Sequence, residues 1–229
     1  MAFTNNRHTV KRFDAEIDSL IEQVLEMGRA AGQQVEQAVT AFRTGDIDLA
    51  QAVVAGDDVL NRRDLDIDRA CIRLLARRQP VSTDMRLVMS MNKAVADLER
   101  VGDEAKSIAE KVLAIQARGG ELHKGVAHDM DRLAQAAIQR FVTARDVLAQ
   151  LNIEQAWRLV HQEEDPVEEA FQDSLRSLSV LSLEGGSMVA TIIDVVLAFK
   201  ALKRVADHAD NLIEYTIYIV EGQDIRHAD

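Results

Sequence analysis

Cysteine, proline, aromatic residues and long apolar runs are all scarce in this sequence, and each scarcity excludes a class of protein. The single cysteine, Cys71, cannot form a disulfide within the chain, so we expect a small core residue in a reducing compartment. Two prolines and 4% aromatic residues favour helices over a β-sandwich. No segment approaches the ~18 uninterrupted apolar residues that a membrane-spanning helix needs.

Basic charge and catalytic motifs are missing as well. The net charge of −11 argues against a general nucleic-acid-binding protein. There is no glycine-rich phosphate loop, and no histidine has a glutamate three residues before it, as a ferritin-like di-iron site would require. The first residues lack an apolar signal core. We therefore expect a cytoplasmic protein that is not an enzyme.

What the sequence does contain is helical periodicity. Apolar residues recur at three- and four-residue steps over six segments. Asp46, Ser82 and Asn152 are predicted N-caps, and Pro166 is expected to kink or break the fifth helix. The sixth helix is predicted to start at Gly185–Ser187. The predicted helices span approximately residues 9–43, 46–78, 82–118, 121–150, 152–178 and 187–220.

One stretch occurs twice. Residues 98–110 (LERVGDEAKSIAE) align with residues 202–214 (LKRVADHADNLIE) at an offset of 104. The aligned apolar positions keep the same helical phase, so the chain is predicted to be a tandem duplication. The predicted fold is all-α, with two tandem antiparallel three-helix bundles formed by residues 1–117 and 118–229.

The repeated stretch also carries an acidic stripe. Glu99 and Asp103 are one helical turn apart and repel each other by a few tenths of a kcal/mol. Helix two presents Asp57 and Asp64 on one face, and as an antiparallel neighbour it can bring them to the same place. Oxygen-only clusters suit divalent cations, and carboxylates also bind iron and manganese. Alternatively, the stripe is a solvated face, or Lys106 neutralises it without metal.

A second stripe is predicted around Asp207 and Asp210, facing Glu164 and Glu168 of helix five. It is the weaker metal candidate because Lys203 replaces the first acid. Three arginines near acids are candidate partner-binding residues, although such arginines are often ordinary ion-pair partners. These arginines are Arg86, Arg100 and Arg204. His208 is predicted to be exposed and inert.

Several motifs, taken in order, resemble the PhoU family of bacterial phosphate-signalling regulators. They are R-Q-P at Arg78–Pro80, D-x-R-L-V at Asp84–Val88 and L-E-R-V-G-D at Leu98–Asp103. The opening at Phe13–Gly28 and the close at Ile219–His227 also look like that family. The resemblance covers nearly the whole chain.

The resemblance implies a fold of two three-helix bundles and a non-catalytic, homodimeric regulator. Such proteins repress the phosphate-starvation regulon when phosphate is plentiful. They link the ATPase subunit of the phosphate ABC transporter to a sensor histidine kinase, so they are peripheral to the inner membrane. Some bind metal clusters through E/D-x-x-x-D motifs, which Glu99 and Asp103 match fully and Lys203 and Asp207 match by half. The alternative function is a metal-binding or metal-dependent bundle protein.

Overall fold

In a computed structural model, the chain is described at residues 11–120, 124–182 and 189–225, and this part is helical without a strand. Seven helices follow one another along it. They are α1 (Lys11–Thr44), α2 (Ile47–Arg78), α3 (Thr83–Ala117), α4 (Lys124–Gln150), α5 (Ile153–Val160), α6 (Pro166–Ser182) and α7 (Val189–Glu221). None of these helices is long and apolar enough to cross a membrane.

The helices form two antiparallel bundles, which confirms the predicted all-α fold. Helices α1, α2 and α3 pack on one another, and α4 packs with α6 and α7, with α5 beside α7. Leu98 and Val101 of the first copy of the repeat are buried, as are Leu202 and Val205 of the second, so the shared apolar phase faces the core in both. The domain limit between residues 117 and 118 stays a prediction.

The predicted fifth helix is two helices, so the count of six was wrong. Helix α5 ends at Val160, and α6 begins at Pro166. The Asp165 side chain accepts hydrogen bonds from the backbone N–H groups of Val167 and Glu168, at 2.9 and 3.2 Å. Proline fits the first helical position, where a missing N–H costs nothing. The predicted start of the last helix at Gly185–Ser187 lies outside the described residues.

Two of the three predicted N-caps are confirmed. Asp46 accepts a hydrogen bond from Leu49 N at 2.9 Å, and Asn152 accepts one from Gln155 N at 3.1 Å. Ser82 makes no side-chain cap hydrogen bond. Its φ of 53° is left-handed, whereas a capping side chain needs an extended backbone to reach the first N–H groups.

The two bundles meet along α3 and α7, which run antiparallel and form the most extensive helix pair in the described chain. Helices α1 and α4 form a second contact between the bundles. Helix α2 packs on α1 and α3 and lies at the outer edge of the first bundle. This arrangement brings the two copies of the repeat, on α3 and α7, side by side.

Candidate functional site

Glycine at position 102 allows α2 and α3 to approach each other closely. A Cβ atom at Gly102 would overlap Leu60 Cδ1, and Leu60 is completely buried. The close approach puts Asp57 of α2 against Lys106 of α3, with 2.9 Å between Oδ2 and Nζ. Asn61 Nδ2 donates to the same carboxylate oxygen at 3.2 Å. Asp57 of α2 therefore meets the face of α3 that carries Lys106, and the role of this face as a metal site stays a prediction.

Two oxygens of this group have no hydrogen-bond donor within the described residues. Asp57 is 3% exposed, and its Oδ1 atom is buried without a partner. Asn61 Oδ1 is also buried without a partner. Asp57 is thus not part of a solvated face, which was one alternative for this stripe. Because an unpaired buried acceptor is costly, these two oxygens favour a cation or a bound water at this place.

The predicted carboxylates influence one another. Burial raises the pKa of Glu99, and Asp103, Asp64 and Asp57 raise it further. Burial and the charge of Asp57 raise the pKa of Asp103, although the nearby cations oppose this. Burial also raises the pKa of Asp64, with a contribution from Asp68. The site therefore holds more negative charge than its own cations neutralise.

Lys106 is the cation that the chain itself supplies. Its hydrogen bond to Asp57 raises the pKa of Lys106, so the amine stays charged there. Across the described ranges, no group of three or more His, Cys, Asp or Glu side chains is arranged to hold a metal ion. A metal would need Glu99 and Asp103 to turn toward Asp57, so metal binding stays a prediction.

In the second bundle, the predicted acids already have cationic partners. Lys203 Nζ lies 3.2 Å from Asp207 and 3.4 Å from Glu168. Arg140 Nε donates to Asp210 at 2.6 Å beside a cleft of about 430 Å³ that Glu164 also lines. Burial raises the pKa of Asp210 while the charge of Arg140 lowers it. Metal binding by Asp207 and Asp210 stays a prediction, with less support than the first stripe.

The three candidate partner-binding arginines have different surroundings. Arg86 donates from Nε and Nη2 to the Ile219 carbonyl, at 3.3 and 3.2 Å, and so holds the end of α7 against the start of α3. The side chain of Arg100 is 57% exposed and that of Arg204 is 53% exposed. Arg204 Nη1 lies 2.9 Å from Glu104 Oε1 and Arg100 Nη1 lies 3.5 Å from Asp97 Oδ1, so both are engaged as Arg86 is, although their side chains stay more than half exposed.

A buried polar network that was not predicted from the sequence lies between the bundles. Asp97 of α3 is 2% exposed. His208 Nδ1 and Asn211 Nδ2 donate to its Oδ1 atom at 3.0 Å each, and Tyr215 OH donates to Oδ2 at 2.7 Å. Burial would raise the pKa of Asp97, but these hydrogen bonds outweigh it and lower the pKa.

The prediction that His208 is exposed was wrong, because its residue exposure is 9%. A signal was present in the sequence: His208, Asn211 and Tyr215 fall at i, i+3 and i+7, on one face of α7. That face is buried because α7 packs on α3 across the two bundles, and a helical pattern alone does not reveal which helices of a duplicated unit meet.

The described part of the chain thus defines an all-α protein of two tandem helical bundles, with an acidic stripe where α2 meets α3. The PhoU domain model matches residues 24–112 and 130–216, one match in each bundle. The chain belongs to the PhoU family.

Named relatives are similar in sequence to almost the whole chain. It is 32% identical to the phosphate-specific transport system accessory protein PhoU of Escherichia coli (strain K12), covering 97% of this chain and 90% of that protein. It is 36% identical to the phosphate-specific transport system accessory protein PhoU homolog of a Burkholderia species, covering 97% and 94%. The family relationship therefore extends across both bundles.

Solved structures support the fold. The crystal structure of PhoU from Pseudomonas aeruginosa superposes with a TM-score of 0.84 at 33% identity, covering 92% of this chain and 100% of that one. The phosphate transport system regulatory protein PhoU from Streptococcus pneumoniae gives a TM-score of 0.81 at 21% identity, covering 93% and 98%. The second likeness bears on the fold alone.

Proposed function

We propose that this protein is a non-catalytic regulator of phosphate uptake that acts with a phosphate ABC transporter. The proposal is supported by whole-chain similarity to relatives named as accessory proteins of the phosphate-specific transport system. In the finer form of the proposal, the protein is a cytoplasmic homodimer at the inner membrane. It contacts the transporter's ATPase subunit and a sensor histidine kinase, and represses starvation genes when phosphate is plentiful.

Deleting the gene tests this function. Without the regulator, we expect alkaline phosphatase and transporter expression to rise in cells grown with abundant phosphate. A plasmid copy of the wild-type gene should restore repression. Unchanged expression in the deletion strain would contradict the negative regulatory role.

Arg100 and Arg204 are the partner-binding residues that this function puts to use. Each side chain is more than half exposed although it pairs with an acid, Arg100 with Asp97 and Arg204 with Glu104, and both arginines lie on the two helices that join the bundles. We expect the Arg100→Ala/Arg204→Ala double variant to fold but to restore repression poorly. Arg158→Ala is the control; it alters an arginine on α5 that is 79% exposed and lies 3.9 Å from Glu154. Equal complementation by both variants would remove these arginines from the partner surface.

A cation site at the first acidic stripe is the second candidate function. The buried, unpartnered oxygens of Asp57 and Asn61 favour it, together with the raised pKa values of Glu99 and Asp103. Asp57, Asp64, Glu99 and Asp103 would be its carboxylate ligands. Oxygen ligands suit divalent cations such as Mg²⁺ and Mn²⁺, and carboxylates also suit iron.

Metal content and thermal melts test this site. A cation that binds the native state raises the wild-type melting midpoint. We expect added Mg²⁺, Mn²⁺ or Zn²⁺ to raise it in wild type and in an Asp146→Ala control, but less in Asp103→Ala. Metal content after purification without chelator shows what is retained. The same response in all three proteins would contradict the site.

A further inference from the structure

The second half of α2 carries basic and aliphatic side chains on its solvent side. We call this surface the α2 ridge; it comprises Arg62, Leu65, Arg69, Ile72, Arg73 and Arg77. The spacing of these residues places them on one helical face, and all six are exposed. Leu65 is 53% exposed and Ile72 is 57% exposed, so both aliphatic side chains are available for contact among the arginines.

The positive charge of the α2 ridge is largely unneutralised. Within the described residues, Arg62, Arg73 and Arg77 have no ion pair, and Arg69 reaches the exposed Asp66 only at 3.5 Å. Four arginines against the exposed Asp58 and Asp66 of the same face leave a local charge of +2 in a chain of net charge −11.

Neighbouring arginines that point toward α1 behave differently. Arg63 pairs with Glu26 at 3.5 Å and Arg78 pairs with Glu16 at 2.8 Å, so these charges are used inside the bundle. The same ion pairs neutralise the acids of α1 that lie closest to the ridge. Among the described arginines of α2, those without an ion pair therefore belong to the ridge, and two of them, Arg73 and Arg77, lie at the edge of the groove between α1 and α2.

The shape of the surface indicates what it meets. Helix α2 is at the edge of its bundle, so the ridge is convex, and it extends about 22 Å at 1.5 Å per residue. The groove between α1 and α2 is only about 330 Å³, and Glu16, Arg73 and Arg77 put charged side chains in its lining. A convex row of guanidinium groups with aliphatic side chains among them fits a flat, anionic, partly apolar surface.

We propose that the α2 ridge binds the surface of an anionic phospholipid bilayer. Guanidinium groups pair with phosphate oxygens in a bidentate manner, and Leu65 and Ile72 enter the boundary between headgroups and acyl chains. The negative charge on the rest of the protein does not prevent this contact, because salt screens charges beyond about 8 Å. The proposal goes beyond the proposed regulatory function and does not depend on it.

Vesicle flotation tests the proposal with the full-length protein. We expect wild type to float with vesicles that contain one quarter phosphatidylglycerol in phosphatidylcholine, to stay free of pure phosphatidylcholine vesicles, and to dissociate as salt is raised. The Arg69→Glu/Arg73→Glu variant should bind about tenfold more weakly or worse. Arg158→Glu/Lys200→Glu changes the net charge equally on the second bundle and should bind like wild type. Equal melting midpoints show that both variants are folded.

A further variant tests how much the aliphatic side chains contribute to vesicle binding. Leu65→Ser/Ile72→Ser removes both exposed aliphatic side chains without changing charge, so we expect weaker binding with the same salt dependence. Wild-type binding that is equal on neutral and anionic vesicles would overturn the proposal, as would equal losses in both charge-reversal variants. If the protein ignores both vesicles but is retained by poly-L-glutamate, the occupant is an acidic protein segment and the lipid proposal is wrong.

Discussion

The Asp97 carboxylate lies at the centre of a buried polar network where the two bundles meet. It lies on α3, and His208, Asn211 and Tyr215 of α7 donate hydrogen bonds to it, while Arg100 of α3 donates from Nη1 at 3.5 Å. A buried carboxylate is tolerated only when its hydrogen bonds replace those it made with water. The network therefore stabilises one relative position of the two helices.

Replacing this carboxylate should destabilise the protein in a pH-dependent way. We expect Asp97→Asn to cost about 1–3 kcal/mol at neutral pH, because an amide cannot accept all three hydrogen bonds. The pKa of Asp97 is lowered in the folded state, so its contribution is present above the ordinary value of 3.8 and is lost as pH falls through the folded value. Urea titrations should thus show the difference shrinking in acid. Asp146→Asn, at an exposed site, is the control and should change little.

Replacing Asp103 should change the free energy of unfolding in the opposite direction from replacing Asp97. Its pKa is raised in the folded state, so wild-type stability falls as pH rises from the ordinary value of 3.8 through the raised value. Asp103→Asn removes a repelling charge and should raise the free energy of unfolding at neutral pH by a few tenths of a kcal/mol, since the group is exposed and screened. The gain should vanish in acid. If Asp103→Asn is less stable than wild type at neutral pH when both proteins are free of metal, this expectation is wrong.

At the scale of elements, the distance between α2 and α3 is set by a glycine. Gly102→Ala would press a methyl group against the buried Leu60, which has no room to move, so we expect a loss of about 1–3 kcal/mol. Gly56→Ala is the matched control on α2. Its Cβ would meet only the amide nitrogen of Gln34, at 2.9 Å, and that side chain can turn aside.

The control should therefore be neutral, or stabilising by up to about 1 kcal/mol, because alanine favours a helix over glycine. Urea unfolding midpoints of the two variants measure the difference. Equal midpoints would show that α2 and α3 separate without cost. The second copy of the repeat has Ala206 at the corresponding position, so α7 does not need the same close approach.

The sequence predicted these elements well where local chemistry decides them. Asp46 and Asn152 cap helices because a short acceptor side chain before an apolar pattern satisfies free N–H groups locally. The break at Pro166 was expected, but not the length of the interruption, because Asp165 caps a new helix by accepting hydrogen bonds with its side chain. Ser82 failed as a cap because its φ is left-handed, and that conformation does not follow from its identity.

The candidate site was only partly predictable, because its parts are distant in sequence. The proximity of the acidic stripes on α2 and α3 could be predicted, because antiparallel neighbours within a bundle are expected to touch. The burial of Asp57 and its pairing with Lys106 depend on the close approach of α2 and α3 at Gly102. The spacing of residues along the sequence does not predict that approach. The Asp97–His208 contact joins different bundles, and it follows from packing rather than from either helix alone.

At the scale of the whole molecule, the bundles should unfold together. Their contact along α3 and α7 is the most extensive in the described chain, and the buried network of Asp97 lies within it. Trp157 is the sole tryptophan and donates to Glu221 at 3.2 Å, so its fluorescence reports on the second bundle. Far-ultraviolet circular dichroism reports on the helices of both bundles.

We expect urea unfolding followed by the two signals to give coincident transitions in wild type, as a single cooperative unit requires. In Asp97→Asn, both midpoints should fall together, because the lost hydrogen bonds belong equally to α3 and α7. A fluorescence midpoint that moves while the circular dichroism signal splits into two steps would show that the bundles unfold separately. In that case the α3–α7 contact would join two independently stable bundles rather than form a shared core.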